Sequence, residues 1–108
     1  KWHLAPTPQT LGFRESLRPR MRHRYFKQTF YKNEGEPYVC DDYGPYHETE
    51  AAIEYIRGHK DRPFFLYLSY GPPHMPVSEM PEKYRATYSR YDDHPETVIQ
   101  RNRLDNRA

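Results

Sequence analysis

The sequence predicts an α/β chain with one clear helix, one buried strand of the parallel type and long loops. The helix is indicated by Ala52, Ile53 and Ile56, which recur at spacings of three and four residues. The strand is indicated by the almost wholly apolar run of residues 64–70, which is typical of a strand covered on both faces within a parallel sheet. Residues 5–46 show neither the apolar spacing of a helix nor the strict alternation of a strand over a useful length, and we expect loops there.

The composition predicts a thin hydrophobic core. Of 108 residues, 35% are hydrophobic, 30% are charged and 11 are proline, while 11 are tyrosines whose hydroxyl groups need partners when buried. A single cysteine excludes an internal disulfide, and a net charge of +2 is too small to imply a polyanionic partner. The longest apolar run is far shorter than the roughly 20 residues of a membrane span, so we predict no membrane partner, and no compartment is indicated.

The loop-rich first part contains two short predicted strands, residues 25–31 and 37–39, because their aromatic and β-branched side chains suit a pleated surface. Asn33-Glu34-Gly35 between them is a plausible turn. The helix is predicted over residues 49–57, and Gly58 is placed to end it.

A rigid loop follows the predicted strand, because Gly71-Pro72-Pro73-His74-Met75-Pro76 cannot continue as sheet or helix. Pro81 then opens a short predicted helix over residues 82–89. The predicted organisation is a loop-rich part with possible short strands at 1–46, a helix-strand-loop-helix core at 47–90 and a polar tail at 91–108. Since the single apolar strand has no parallel neighbour in this sequence, we expect a piece of a larger domain.

Four short segments occur in a specific order along the chain. They are Lys1-Trp2-His3-Leu4, the helical Thr49-Glu50-Ala51-Ala52-Ile53-Glu54-Tyr55-Ile56, then Pro63-Phe64-Phe65-Leu66-Tyr67-Leu68-Ser69-Tyr70, and finally Pro72-Pro73-His74-Met75-Pro76. In wording, order and approximate spacing they resemble the sulfatase family of the alkaline-phosphatase superfamily, over about residues 1–90. The resemblance implies an internal fragment of the catalytic domain, with a partial alkaline-phosphatase-like three-layer sandwich as its fold.

The resemblance implies a hydrolase of sulfate esters, carried by a small molecule or a glycan, that uses Ca²⁺ and a formylglycine nucleophile. Lys1 matches the family lysine that binds sulfate and the formylglycine, and His3 matches the histidine that hydrogen-bonds the formylglycine hydroxyl. His74 matches the histidine on the leaving-group side, which binds substrate and contributes to protonation of the leaving oxygen. Sulfuryl transfer spreads negative charge over equatorial oxygens, so these cationic groups should act mainly through electrostatics.

The family's metal ligands and nucleophile motif have no match in these residues. Cys40 is followed by Asp41-Asp42-Tyr43-Gly44 and lacks the proline and arginine of a Cys/Ser-x-Pro/Ala-x-Arg motif, so we do not expect it to be the nucleophile. Two adjacent carboxylates also supply few of the six to eight oxygen ligands that Ca²⁺ takes. We therefore predict no metal ligand here, and we expect the chain to need the rest of the parent catalytic domain for activity.

Two other functions remain open. A phosphonate or phosphodiester hydrolase of the same superfamily would share these motifs. A small nucleic-acid-binding module is the third possibility, because residues 14–27 contain seven basic residues with Tyr25 and Phe26 among them. Since the overall charge is nearly balanced, nucleic acid is not the predicted partner. The plainest interpretation of His3 is a solvated terminal residue, and that of His74 is a structural loop histidine.

Overall fold

A three-stranded antiparallel sheet lies at the centre of the computed structural model, which describes residues 2–20, 24–74, 76 and 78–88. Its strands are β1 (Leu17–Pro19), β2 (Gln28–Lys32) and β3 (Tyr38–Cys40), in the spatial order β1-β2-β3. Leu17 lies opposite Lys32, and Phe30 lies opposite Tyr38. The two predicted strands are therefore confirmed with shifted bounds, whereas β1 was not predicted.

The turn after β2 is confirmed at Asn33-Glu34-Gly35. Asn33 and Glu34 have φ angles of 49° and 63°, and the Gly35 N–H donates to the Lys32 carbonyl at 2.8 Å. The Asn33 side chain also accepts the Ser16 N–H at 2.7 Å. Asparagine tolerates the left-handed conformation and can bond the neighbouring backbone, which explains its place here.

The main helix, α1, spans Gly44–His59 and packs against β1. The predicted helix is confirmed, but it begins five residues earlier than expected and continues through Gly58 rather than ending there. The early start follows from Pro45, because proline is favoured in the first helical turn, where its missing N–H has no partner to lose. Ala52 faces the core from the middle of α1.

The core is small and aromatic. Phe30 on β2 is fully enclosed, and the other most buried side chains are Tyr25, Gln28, Tyr43 and Ala52. The Phe30 ring lies 4.9 Å from the His47 ring and 6.3 Å from the Tyr38 ring, measured between centroids. Together these contacts attach the first turns of α1 to the central strand.

Residues 63–70, called the apolar segment below, do not form the predicted buried strand. They are extended, and six of their large side chains are between 37% and 73% exposed. The predicted covered, parallel-type strand is not shown in the described part of the chain, because β2 pairs antiparallel with β1 and β3 and none of the three strands pairs with this segment. The observed fold is a small α/β arrangement, with neither a parallel pair nor a sandwich among the described residues.

A short second helix, α2 (Glu82–Tyr88), follows Pro81 and confirms the predicted helix as far as the structure describes it. The Tyr84 N–H donates to the Pro81 carbonyl at 2.9 Å, as expected when proline opens a helix. Ser89 and the predicted polar tail, residues 91–108, lie outside the described residues. No helix among residues 2–20, 24–74, 76 and 78–88 is long and apolar enough to cross a membrane.

Candidate active site

The first predicted site segment is held to the protein through its tryptophan. The Trp2 Nε1–H donates to the Pro6 carbonyl at 2.8 Å, and the Trp2 ring lies edge-on to Phe13 with centroids 5.9 Å apart. Phe13 in turn lies 6.1 Å from Phe65 of the apolar segment. His3 is exposed beside this aromatic chain, and Lys1 lies outside the described residues. The structure thus joins the segment that carries His3 to the apolar segment.

The second predicted site residue, His74, lies in the loop that directly follows the apolar segment. Its N–H donates to the Gly71 carbonyl at 3.1 Å, and its carbonyl accepts the Tyr25 hydroxyl at 2.7 Å. The His74 residue is exposed, while Pro76 two residues later is buried. The loop therefore presents an exposed histidine on a backbone that is bonded on both sides of its Cα.

Tyr25 is the centre of the contacts that hold this loop. It is 5% exposed, and its carbonyl accepts the N–H of Gly44, the first residue of α1, at 2.7 Å. Burial, with a smaller contribution from the nearby Tyr43, raises the pKa of Tyr25 to about 12. The hydroxyl therefore stays protonated near neutral pH and remains a donor to the His74 carbonyl.

Glu79 closes the loop from its other end. Its carboxylate oxygen Oε2 accepts the backbone N–H groups of Tyr25 and Phe26, the latter at 3.2 Å. A carboxylate that accepts two backbone N–H groups makes charge-assisted hydrogen bonds, which are among the stronger ones in proteins. The sequence predicted no role for Tyr25 or Glu79 in this site, because 54 residues separate them and no local spacing relates them.

Gly71 permits the close approach between the loop and Tyr25. A Cβ at this position would lie 2.7 Å from the Tyr25 ring atom Cε1 and 3.4 Å from its hydroxyl oxygen. Real Cβ contacts are never that short with a ring edge, so any larger residue would have to displace either the loop or Tyr25. The glycine at the end of the apolar segment is therefore explained by packing against Tyr25.

A separate groove of about 400 Å³ lies near the start of α1. The Lys83 Nζ lies 4.8 Å from the centre of the Tyr46 ring, and the Tyr38 hydroxyl lies 2.7 Å from the His47 Nε2. The groove is lined by Cys40, Asp42, Tyr46, His47, Thr49, Glu50 and Lys83. It mixes both signs of charge, and none of the predicted site residues lines it.

The described residues do not fit a calcium site. Within residues 2–20, 24–74, 76 and 78–88, no three His, Cys, Asp or Glu side chains come together in a way that could hold a metal ion. Cys40 is a free thiol that is partly exposed at the end of β3. The described side chains thus offer no ligand set for the Ca²⁺ that the sequence resemblance implies.

The basic stretch at 14–27 is described except for residues 21–23. The Arg18 guanidinium carbon lies 5.3 Å from the centre of the Tyr31 ring, and the side chain is only partly exposed on β1. Arg14, Arg20, Arg24 and Lys27 are exposed. At least one of the basic side chains therefore packs against the sheet instead of facing solvent as part of a continuous basic surface.

Comparison of the chain with models of known families, with curated proteins and with solved structures finds no match.

Proposed function

We propose that this chain forms part of the catalytic domain of a sulfatase, in which Lys1, His3 and His74 belong to the sulfate-binding and proton-transfer side of the active site. The observation that carries the proposal is the order of the motif segments, with one histidine motif before the helical segment and one after the apolar segment. The positions of the elements support it, since α1 includes residues 49–56 and His74 lies in the loop that follows the apolar segment.

The exposure of the apolar segment also supports the proposal. Six large apolar side chains at 37% to 73% exposure are unusual for a finished domain, and they would be covered if the segment paired with parallel strands. In the proposed domain, this segment is an inner strand of the three-layer sandwich, and the neighbouring strands come from the rest of the catalytic domain. His74 then lies just outside the carboxyl end of a strand, where ligands of open α/β sheets bind.

The three proposed site residues suit sulfate-ester hydrolysis chemically. The Lys1 ammonium would bind the sulfate oxygens, on which negative charge accumulates in the transition state, and the His3 imidazole would hydrogen-bond the formylglycine hydroxyl. His74 would lie at the alcohol oxygen that leaves, and a histidine can donate a proton there near neutral pH. Residues outside this chain would supply the formylglycine and the ligands of the Ca²⁺ that the family uses.

The test uses a longer protein that contains this chain together with its flanking sequence. We expect calcium-dependent hydrolysis of 4-nitrophenyl sulfate, and we expect His74→Ala to lower kcat by about 10² to 10⁴, the usual contribution of a general acid. His59→Gln is the matched control, because His59 lies at the far end of α1, with its ring stacked 4.0 Å from Tyr55. This control should retain the activity of the unaltered protein.

Two results would contradict the sulfatase assignment. A longer protein without a Cys/Ser-x-Pro/Ala-x-Arg motif upstream of this chain could not form the nucleophile. Faster turnover of a phosphonate or a phosphate diester than of the sulfate ester would instead favour the sister enzyme of the same superfamily.

A further inference from the structure

The loop that carries His74 is attached to the rest of the protein at two points, and both involve Tyr25. The Tyr25 hydroxyl donates to the His74 carbonyl at 2.7 Å, and the Tyr25 N–H donates to the Glu79 carboxylate. Two positions of the loop, His74 and Glu79, are therefore bonded to one residue. Gly71 adds a third contact, because its lack of a side chain lets the Tyr25 ring pack directly on the loop.

Tyr25 is itself fixed by the core. Its ring is nearly fully enclosed and lies 6.3 Å from the Tyr43 ring at an interplanar angle of 67°. Its carbonyl is bonded to the N–H of Gly44, so its position follows the first turn of α1. Through Tyr25, the loop is thus attached to the buried Tyr43 ring and to the start of α1.

At His74, this arrangement holds the backbone and leaves the residue at the surface. The N–H is bonded to Gly71 and the carbonyl to Tyr25, so the two peptide groups that define the direction of the Cα–Cβ bond are both held. A catalytic side chain needs such support, because a misplacement of about 1 Å can lower the rate by about 10².

We propose that Tyr25 and Glu79 are positioning residues for His74, which hold its backbone so that the imidazole keeps one direction relative to the end of the apolar segment. The functional consequence rests on the proposed role of His74 in sulfate-ester hydrolysis. The positioning itself rests only on the contacts around Tyr25, so the two can be tested separately.

The first test uses NMR spectroscopy of the 108-residue chain and needs no activity. Tyr25→Phe removes only the hydroxyl, and we expect amide hydrogen exchange at His74 to become about fivefold to tenfold faster, with a changed carbonyl ¹³C shift for His74. Tyr67→Phe is the matched control, since it removes a hydroxyl from an exposed tyrosine in the apolar segment. Unchanged exchange and shift at His74 in Tyr25→Phe, with the signals of β2 and α1 intact, would overturn the proposal.

Glu79 provides a second variant that leaves the core untouched. Glu79→Ala should loosen the same loop, and Glu79→Gln should restore part of the protection, because the amide oxygen can still accept the Tyr25 and Phe26 N–H groups. If Glu79→Ala leaves His74 exchange unchanged, the proposal is wrong even where Tyr25→Phe fails to fold.

Kinetics of the longer protein then test the functional consequence. Tyr25→Phe should lower kcat about 10-fold to 100-fold with KM within about twofold, because the imidazole direction is less well defined at the reacting atoms. A positive NMR result without sulfatase activity would leave the positioning intact and reject the proposed function. Sulfatase activity that needs His74 but is unaffected by Tyr25→Phe would reject the positioning and leave the function intact.

Discussion

Glu48 offers the sharpest test of the electrostatics of this fold. It lies in the second turn of α1 and is only partly exposed, and burial raises its pKa to about 7 from an ordinary value of 4.5. The carboxyl group is therefore more easily protonated in the folded chain than in the unfolded one. The perturbation is Glu48→Gln, which keeps the shape of the side chain and removes the ionisation.

The expected effect on the free energy of unfolding follows from linkage. One pKa unit corresponds to about 1.36 kcal/mol, so a rise from 4.5 to about 7 corresponds to about 3.4 kcal/mol. Because part of Glu48 is open to solvent, screening reduces its contribution, and we expect Glu48 to contribute about 1 to 2 kcal/mol to the free energy of unfolding. For an acid whose pKa is raised by folding, the contribution is fully present below pH 4.5 and is lost as the pH rises towards 7 and beyond.

The assay is urea denaturation between pH 4.5 and 8.5, followed by circular dichroism. Between these pH values, ionisation of Glu48 should lower the free energy of unfolding of the unaltered chain by about 1 to 2 kcal/mol. The Glu48→Gln variant lacks this contribution, so its free energy of unfolding should fall less, and it should be the more stable protein at pH 8. Glu50→Gln is the control, because Glu50 is exposed on the same helix. A Glu48→Gln variant with the same pH dependence as the unaltered chain, or a Glu48 carboxyl ¹³C resonance that titrates near 4.5, would refute the reasoning.

Two further predictions concern packing. Gly44→Ala should destabilise the chain by about 1 to 3 kcal/mol, because the new Cβ would overlap Oε1 of the buried Gln28 side chain. Gly58→Ala should instead stabilise the chain by about 0.5 to 1 kcal/mol, because Gly58 lies within α1 and nothing lies within 4 Å of the new Cβ. Thermal unfolding of the two variants measures both effects, and equal effects would contradict this account. Phe65→Asp should lower self-association in sedimentation velocity runs, because Phe65 is 73% exposed in the apolar segment. An unaltered chain that stays monomeric at all concentrations would contradict this expectation.

The elements that the sequence predicted are those in which neighbours along the chain supply the contacts. The helix followed from the spacing of Ala52, Ile53 and Ile56, and the turn after β2 followed from Asn33 and its neighbours. In both cases the relevant interactions span four residues or fewer. The start of α1 was missed because the apolar spacing begins only at Ala52, whereas the helix begins at Gly44 with Pro45 in its first turn.

Features that depend on distant partners were missed or mistaken. Residues Leu17–Pro19 have no strand pattern, and they form β1 only because β2 lies beside them. The apolar segment has the composition of a buried strand, but composition does not determine which residues cover it. No other strand lies beside it in the described part of the chain, so it remains extended and exposed.

The sequence by itself determined the order of the candidate site segments and the local helix and turn between them, because these depend on residue type and short spacing. Only the tertiary structure decided that Tyr25 and Glu79, 54 residues apart, meet and hold the His74 loop. The physical reason is that a hydrogen bond between distant residues depends on how the whole chain packs around its core. The sequence pattern around Tyr25 and around Glu79 therefore does not predict their contact.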